Sequence, residues 1–187
     1  HSWYIARQLN NFKNNVRGTH INDITGMQMR PIAMTLGTDQ DIDDVVAYVG
    51  SLNGRGKHSG VKGDIQKGKS AYAVCATCHG ANGQGNEALN APKIAGLPDW
   101  YVERQLNNFK RGIRGVHPKD IYGQQMRPMA IALLTDEAVR DMTVYVTSLK
   151  RSSISKPVTV ASSSKAVTSV QAPVSEPLYA PCASCHG

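Results

Sequence analysis

The sequence predicts an all-α fold built from tandem copies of one small domain, and three observations carry that prediction. First, Trp3-Tyr4-Ile5-Ala6-Arg7-Gln8-Leu9-Asn10-Asn11-Phe12-Lys13 returns as Trp100-Tyr101-Val102-Glu103-Arg104-Gln105-Leu106-Asn107-Asn108-Phe109-Lys110. The offset is 97, it runs without a gap to Ser51-Leu52 over Ser148-Leu149, and about 28 of the 50 paired positions are identical. Repetition of this kind marks a duplicated structural unit. Second, Val139, Met142, Val146 and Leu149 fall at the i, i+3, i+7, i+10 spacing of a helix, and Ile42, Val45, Val49 and Leu52 repeat it in the first copy. A stripe kept in both copies is most simply a core face. Third, no segment alternates apolar and polar residues as a half-buried strand does.

The elements follow in order. Asp64 to His79 reads as a helix that enters a cysteine motif, and Pro98 to Arg111 as a second with proline at its start. Thr135-Asp136-Glu137 opens a third helix. The stretch containing Gln28-Met29-Arg30-Pro31 and Gln125-Met126-Arg127-Pro128 reads as a loop before the last helix of each copy. The offset places the counterpart of 64–98 ahead of His1. Residues 1–52 therefore read as the C-terminal part of one domain, 64–150 as a complete copy, and 178–187 as the start of a third, the whole truncated at both ends. Residues 53–63, rich in Gly and basic residues, read as a short joint. Residues 151–177, rich in Ser, Val and Pro, read as a tether that leaves the third segment free to move independently.

Composition bounds the rest. The 187 residues are 41% hydrophobic and 6% aromatic, with only 2 Phe and 2 Trp, so the cores are small and short of bulk that a bound apolar cofactor could supply. No run approaches the ~18 consecutive apolar residues of a membrane span, which leaves any anchor outside this segment. The net charge of +7, from 21 basic and 14 acidic residues, suits an acidic protein partner. Because the basic residues are scattered and form no long run, nucleic acid is not expected as a partner.

The chemistry lies in two motifs, Cys75-Ala76-Thr77-Cys78-His79-Gly80 and Cys182-Ala183-Ser184-Cys185-His186-Gly187, which hold all four cysteines. Two thiols three residues apart can add across the two vinyl groups of haem while the next histidine reaches the iron, and C-x-x-C-H is the signature of c-type haem attachment. A shared zinc site needs closer pairs than Cys78 and Cys182 provide. A redox dithiol lacks its βαβ surroundings, and a structural disulfide leaves unexplained the histidine after each pair.

A sixth iron ligand should come from the far side of the haem. Subtracting 97 maps Met126 onto Met29, but Met129 onto Ile32 and Met142 onto Val45. Only the Met29/Met126 pair survives among the methionines. His117 maps onto His20, which leaves a bis-His site open, or a loop histidine bonded to backbone or to a propionate. An open sixth position is the remaining alternative.

The order C-x-x-C-H-G, then Ala91-Pro92-Lys93-Ile94-Ala95-Gly96, then Met126-Arg127-Pro128 and a last helix with Val144-Tyr145-Val146 resembles the class I cytochromes c, and the tandem arrangement resembles the multihaem members of bacterial respiratory chains. The resemblance covers 64–150 fully and 1–52 for the later half. It implies haem c at Cys75, Cys78 and His79, with the Pro92 carbonyl accepting a hydrogen bond from the proximal histidine and Met126 as the distal ligand. Further haems are implied for the first and third copies, with Met29, and with Cys182, Cys185 and His186. Ala91 departs from the glycine usual before that proline.

The resemblance further implies a periplasmic electron carrier, not an enzyme, in which haem iron cycles between Fe(II) and Fe(III). Its partners would be a terminal oxidase or a quinol-oxidising complex, and a membrane tether could lie outside the segment. One alternative is the cytochrome part of a haem-fused cytochrome c oxidase subunit II, for which His117-Pro118-Lys119-Asp120 and the following Tyr122 loop speak. The other is a catalytic multihaem oxidoreductase, such as a dihaem peroxidase or a thiosulfate-oxidising cytochrome, which needs one open or unusual iron ligand.

Overall fold

A computed structural model of the chain describes residues 1–52, 58–149 and 176–186. Residues 53–57 of the joint and 150–175, most of the tether, lie outside the described residues. Among the described residues the chain is helical throughout, with one isolated bridge between Asn86 and Ala91. The first copy contributes α1 (Ser2–Lys13), α2 (Ile24–Met34) and α3 (Asp39–Ser51). The second contributes α4 (Ile65–His79), α5 (Asp99–Lys110), α6 (Ile121–Ile131) and α7 (Asp136–Ser148). The last helix is α8 (Glu176–His186).

Local chemistry sets the helix ends. The Asp64 carboxylate accepts from the N–H groups of Gln66 and Lys67 at 2.8 and 3.1 Å, satisfying donors that the first turn of α4 leaves bare. Thr38 and Asp41 form a reciprocal capping box on α3, whereas Thr135 caps α7 alone because Ala138 stands where Asp41 does. The expected loops around Met29 and Met126 are instead helices. Asp23 and Asp120 start them by accepting from Gly26 N and Gly123 N, each at 3.1 Å. Pro31 and Pro128 fall in their closing turns, where a missing N–H removes only one bond before the helix stops.

Packing repeats between copies. Ile5, Leu9 and Phe12 on α1 match Val102, Leu106 and Phe109 on α5, all on the inward face. In the complete copy α5 packs on α6 and α7, and α4 crosses α7. Val139, Met142 and Val146 are 0, 1 and 4% exposed there. In the first copy Ile42 and Val45 are as deeply buried, but Leu52 at the C-cap of α3 is 40% exposed, whereas its equivalent Leu149 at the C-cap of α7 packs against the core beside Gly83. Helix α8 does not stand apart as the tether suggested; it lies against α3.

Candidate haem site

Cys75 and Cys78 stand one turn apart on α4, and the helix ends at Gly80, whose φ of 80° turns the chain away just after His79. Both cysteines and His79 line a cavity of about 440 Å³ walled by the complete copy and by α1 of the first. The two cysteines are free thiols, and no cluster of three or more His, Cys, Asp or Glu able to hold a bare metal ion occurs among the described residues. Opposite them the loop after α4 is tied back on itself: Asn86 and Ala91 exchange two backbone bonds of 2.8 and 2.9 Å. That tie holds Pro92 facing His79. The Pro92 carbonyl lies 2.7 Å from His79 Nδ1. A carbonyl can only accept, so Nδ1 carries the proton and Nε2 keeps a bare lone pair suited to iron. Burial pushes the His79 pKa down, against the opposing pull of the Pro92 bond, so the ring is neutral and ready to ligate.

Three of the four candidate distal ligands, all methionines, line the cavity. Met126 on α6 is partly buried, packs against the same core as Cys75, and lines the same cavity. Met129 and Met142 line it too, Met129 at 39% exposure and Met142 at 1% within the core that α7 helps form. His117 does not line the cavity. Its Nδ1 accepts from Lys119 N at 3.1 Å, and His20 repeats the contact with Asn22 N at 3.1 Å. Each is a loop histidine tied to backbone just before an Asp-capped helix.

A second group of residues escapes a reading of the sequence. Arg17 and Arg114, equivalent by the 97-residue offset, are 8 and 5% exposed. Each precedes a glycine of positive φ, Gly18 at 75° and Gly115 at 76°, where a Cβ would collide with the carbonyl oxygen of Gly26 or Gly123. Each guanidinium lies over a phenylalanine of its own copy, 4.4 Å from Phe12 and 4.3 Å from Phe109. Arg17 donates to Gln8 Oε1 at 2.5 Å, and Arg114 donates to Gln105 Oε1 and, across the copies, to Gln8 Oε1 at 3.3 Å. The bond within each copy is repeated at equivalent positions, and the bond between copies joins Gln8 of one to Arg114 of the other. Arg7 breaks the symmetry: it reaches into the complete copy, bonding Asn90 at 3.1 and 3.0 Å and stacking 4.4 Å from Tyr122, while its equivalent Arg104 stays over Trp100. Thr25 stands in place of Tyr122 in the first copy, so no second ring is available. A signal is present in the chain, since Gln8/Gln105 and Arg17/Arg114 are identical polar pairs in a diverged repeat.

Neither buried arginine has a carboxylate ion-pair partner among the described residues, and the Nε of each has no hydrogen-bond partner. Burial, with Arg114 beside it, pushes the Arg17 pKa down to about 10. Two desolvated cations side by side are costly without anions. Arg114, Tyr4, Gln8, Tyr101 and Gln105 line the haem-sized cavity, so the two carboxylates of a haem would meet positive charge there. The residues present fit haem c: two thiols and a neutral imidazole on one wall, a thioether on α6, and buried guanidinium at the edge.

Met29 takes the place of Met126 in the first copy, partly buried against Leu9, Leu36, Ile42, Val45 and Val46. Cys182 is 6% exposed on α8. The side chains of Cys185 and His186 lie outside the described residues.

Comparison with known proteins identifies the family. The cytochrome c family matches residues 65–150. The chain is 32% identical over 131 residues to the cbb3-type cytochrome c oxidase subunit CcoP of Rubrivivax gelatinosus, covering 67% of this chain and 38% of that protein. The structure of cytochrome c4 from Acidithiobacillus ferrooxidans superposes with a TM-score of 0.62 at 26% identity, over 80% of this chain and 84% of that one. Thiosulfate dehydrogenase TsdBA from Marichromatium purpuratum gives 0.60 at 25% identity, over 79% of this chain and 31% of that one. The chain spans about two fifths of the length of the curated relatives it matches first. No helix among the described residues is long and apolar enough to cross a membrane. Residues 65–150 therefore belong to the cytochrome c family, with haem c as its covalent cofactor at Cys75, Cys78 and His79, in a chain built from tandem class I cytochrome c segments.

Proposed function

We propose that the chain is a periplasmic multihaem carrier that passes single electrons between respiratory redox proteins, with His79 and Met126 on opposite sides of the complete copy's iron. The observation that carries the reading is that His79, bonded to the Pro92 carbonyl, and Met126 line one cavity. Bound haem supplies an iron that cycles between Fe(II) and Fe(III). The protein's part is to hold and insulate it. Pro92 orients the imidazole and raises its basicity; Met126 would supply a thioether ligand to the iron, which would close it to substrates and favour the reduced state. Arg114, which lines the cavity, would neutralise a propionate of the bound group, and the basic surface would steer docking to an acidic oxidase or reductase face.

The 32% identity to CcoP favours a second setting for the same chemistry, as the cytochrome part of a larger, membrane-held oxidase assembly. Similarity to a thiosulfate dehydrogenase keeps enzymatic involvement in view, and catalysis at a haem would need its sixth position to be open or unusually ligated. One experiment separates carrier from enzyme. Met126→Ala should abolish the Met126 share of the weak long-wavelength sulfur-to-iron band of the ferric protein, lower the potential of that haem and let it bind carbon monoxide. Met129→Ala should do none of these. Carbon monoxide binding by the unmutated complete copy would overturn the carrier reading.

A further inference from the structure

Arg7 stands on α1 of the first copy, yet it lines the cavity that holds Cys75, Cys78 and His79 of the complete one. Its guanidinium spans two elements there. Nη2 donates to the backbone carbonyl of Asn90 at 3.0 Å, and Nη1 donates to the Asn90 side-chain oxygen at 3.1 Å. Asn90 lies two residues before Pro92 and has a φ of 54°, a left-handed conformation that asparagine adopts more readily than most side chains. The next residue, Ala91, closes the tie to Asn86. Arg7 therefore grips the loop where it turns to bring the Pro92 carbonyl to His79. On its other side the guanidinium lies 4.4 Å from the Tyr122 ring. Tyr122 stands one turn before Met126 on α6, and residues four apart share a helix face. Asn90, Pro92, Tyr122 and Met126 all line the cavity. From its own helix Trp3 and Tyr4 flank the guanidinium at 4.8 and 5.4 Å.

We propose that Arg7 is a positioning residue for the haem of the complete copy: from the first copy it ties the loop that orients His79 to the helix that carries Met126. The inference rests on the ligand reading above and adds what keeps the two ligand-bearing walls in register. His79 follows Cys78 directly, so covalent attachment holds it to the haem. Met126 has no such link, and a neutral thioether has no charge to draw it to the iron. Its bond therefore depends on where α6 is held. A strap between the walls favours the arrangement in which both ligands reach the iron over one in which α6 has drawn back, and that difference is what shifts the balance. The side chain suits the task, because a planar guanidinium can donate a pair of bonds and stack on a ring at once, which an ammonium cannot. The complete copy does not return the contact. Arg104, equivalent to Arg7, lies over Trp100 of its own helix, and Thr25 stands where Tyr122 does. Ligation in the complete copy thus depends on how the two copies dock.

The test uses the full chain loaded with haem, in the ferric state, read by NMR. Unpaired spin on the iron moves the ε-methyl signal of a ligated methionine away from all others, and its loss in Met126→Ala identifies the signal of Met126. Added imidazole competes for the sixth position, and the concentration that halves this signal measures how firmly Met126 is held. Arg7→Ala should lower that concentration about tenfold, the size of one hydrogen bond from a charged donor. Arg7→Lys keeps the charge but not the fork, and should lower it as much. Arg104→Ala should leave it unchanged. Tyr122→Thr, which installs the residue of the first copy, should lower it in part, and adding it to Arg7→Ala should change nothing further. An unchanged midpoint in Arg7→Ala overturns the proposal. So does a normal midpoint in Arg7→Lys, which would make the role one of charge alone, or an undiminished effect of Tyr122→Thr in the absence of Arg7. Should Arg7→Ala fail to fold, the Arg7→Lys and Tyr122→Thr arms decide by the same criteria. Absence of a shifted Met126 signal from the unmutated protein would overturn the ligand reading itself, whereas failure of the strap alone leaves that signal in place.

Discussion

The first and second copies share a plan, yet they differ in how their last helices are covered. On α7, α4 comes so close that a Cβ on Gly68 would collide with the Asp141 carbonyl oxygen and stand 2.8 Å from Tyr145 Cβ. The contact is fastened at its start, where Asp64 N donates to Asp141 Oδ1 at 2.6 Å. On α3 the equivalent carboxylate, Asp44, accepts instead from Gln40 Nε2 at 2.9 Å within its own helix. A Cβ on Gly50, on the exposed side of α3, would meet nothing within 4 Å. A second difference lies at the start of the paired helices. Asp99 on α5 accepts from Ser59 N, Gly60 N and Val61 N at 2.7, 2.8 and 2.9 Å, and so binds the joint to the complete copy. Ser2 stands there in the first copy. Duplication kept the apolar stripe, which any core needs, and let each copy specialise where its helix meets a different neighbour.

Removing the haem should give the largest effect. A lining of about 440 Å³ left empty costs on the order of 10 kcal/mol at roughly 24 cal/mol per Å³. That rivals the whole stability of an ordinary domain. Cys75→Ala with Cys78→Ala, expressed without haem attachment at that site, should therefore leave 64–149 without a cooperative melting transition by circular dichroism. A sharp transition near that of the intact protein would show that α4 and α7 hold the complete copy together by themselves.

Next comes the glycine contrast. Gly68→Ala forces a methyl into the Asp141 backbone and should cost about 3 kcal/mol, since overpacking a tight contact typically costs about 1–3 kcal/mol or more. In a domain of this size each kcal/mol lowers the melting temperature by roughly 4–8 °C. Gly50→Ala meets open space and should be neutral or stabilise by up to ~1 kcal/mol. Equal effects at the two sites would mean that α4 and α7 approach no more closely than an alanine permits.

Asp99→Asn should cost about 2 kcal/mol, because several backbone donors lose a charged acceptor. Burial raises the Asp99 pKa, but the backbone bonds from Ser59, Val61, Trp100 and Gly60 outweigh it and hold the carboxyl below its usual value. A depressed native pKa contributes stability that is complete above the unfolded value of ~3.9 and is lost as pH falls through the native one. Proteolysis near residues 58–61 should therefore speed up below about pH 4 in the native protein and be fast at neutral pH in Asp99→Asn. Ser2→Asn, the matching change in the first copy, should alter neither.

The smallest contrast concerns caps. Thr38→Ala and Thr135→Ala each remove one acceptor at a helix start and should cost about 1 kcal/mol by chemical denaturation. Loss at α3 should exceed loss at α7, because Thr38 also anchors the reciprocal bond from its own N–H to Asp41 at 2.8 Å.

The haem motif, the methionine pair, Pro92 and the helical stripes are legible as residues. Their legibility has a cause: covalent attachment requires fixed spacing, and a duplicated sequence reveals which positions a core or a ligand must keep. The helices around Met29 and Met126 are hidden because a proline follows each methionine closely, although Asp23 and Asp120 cap helices short enough to end within a turn of it. The interface of Arg17, Arg114, Gln8 and Gln105 is hidden because long polar side chains carry no periodic signal.

The sequence by itself determined the all-α fold, the duplication and the chemistry of Cys75, Cys78 and His79, since spacing and hydrophobic period are local properties of the chain. Only the tertiary structure decided that two arginines lie buried without carboxylate partners between the copies, and that α8 rests on α3. Those facts depend on which distant surfaces meet, and burial of apolar and charged groups is settled by contacts that no linear pattern records.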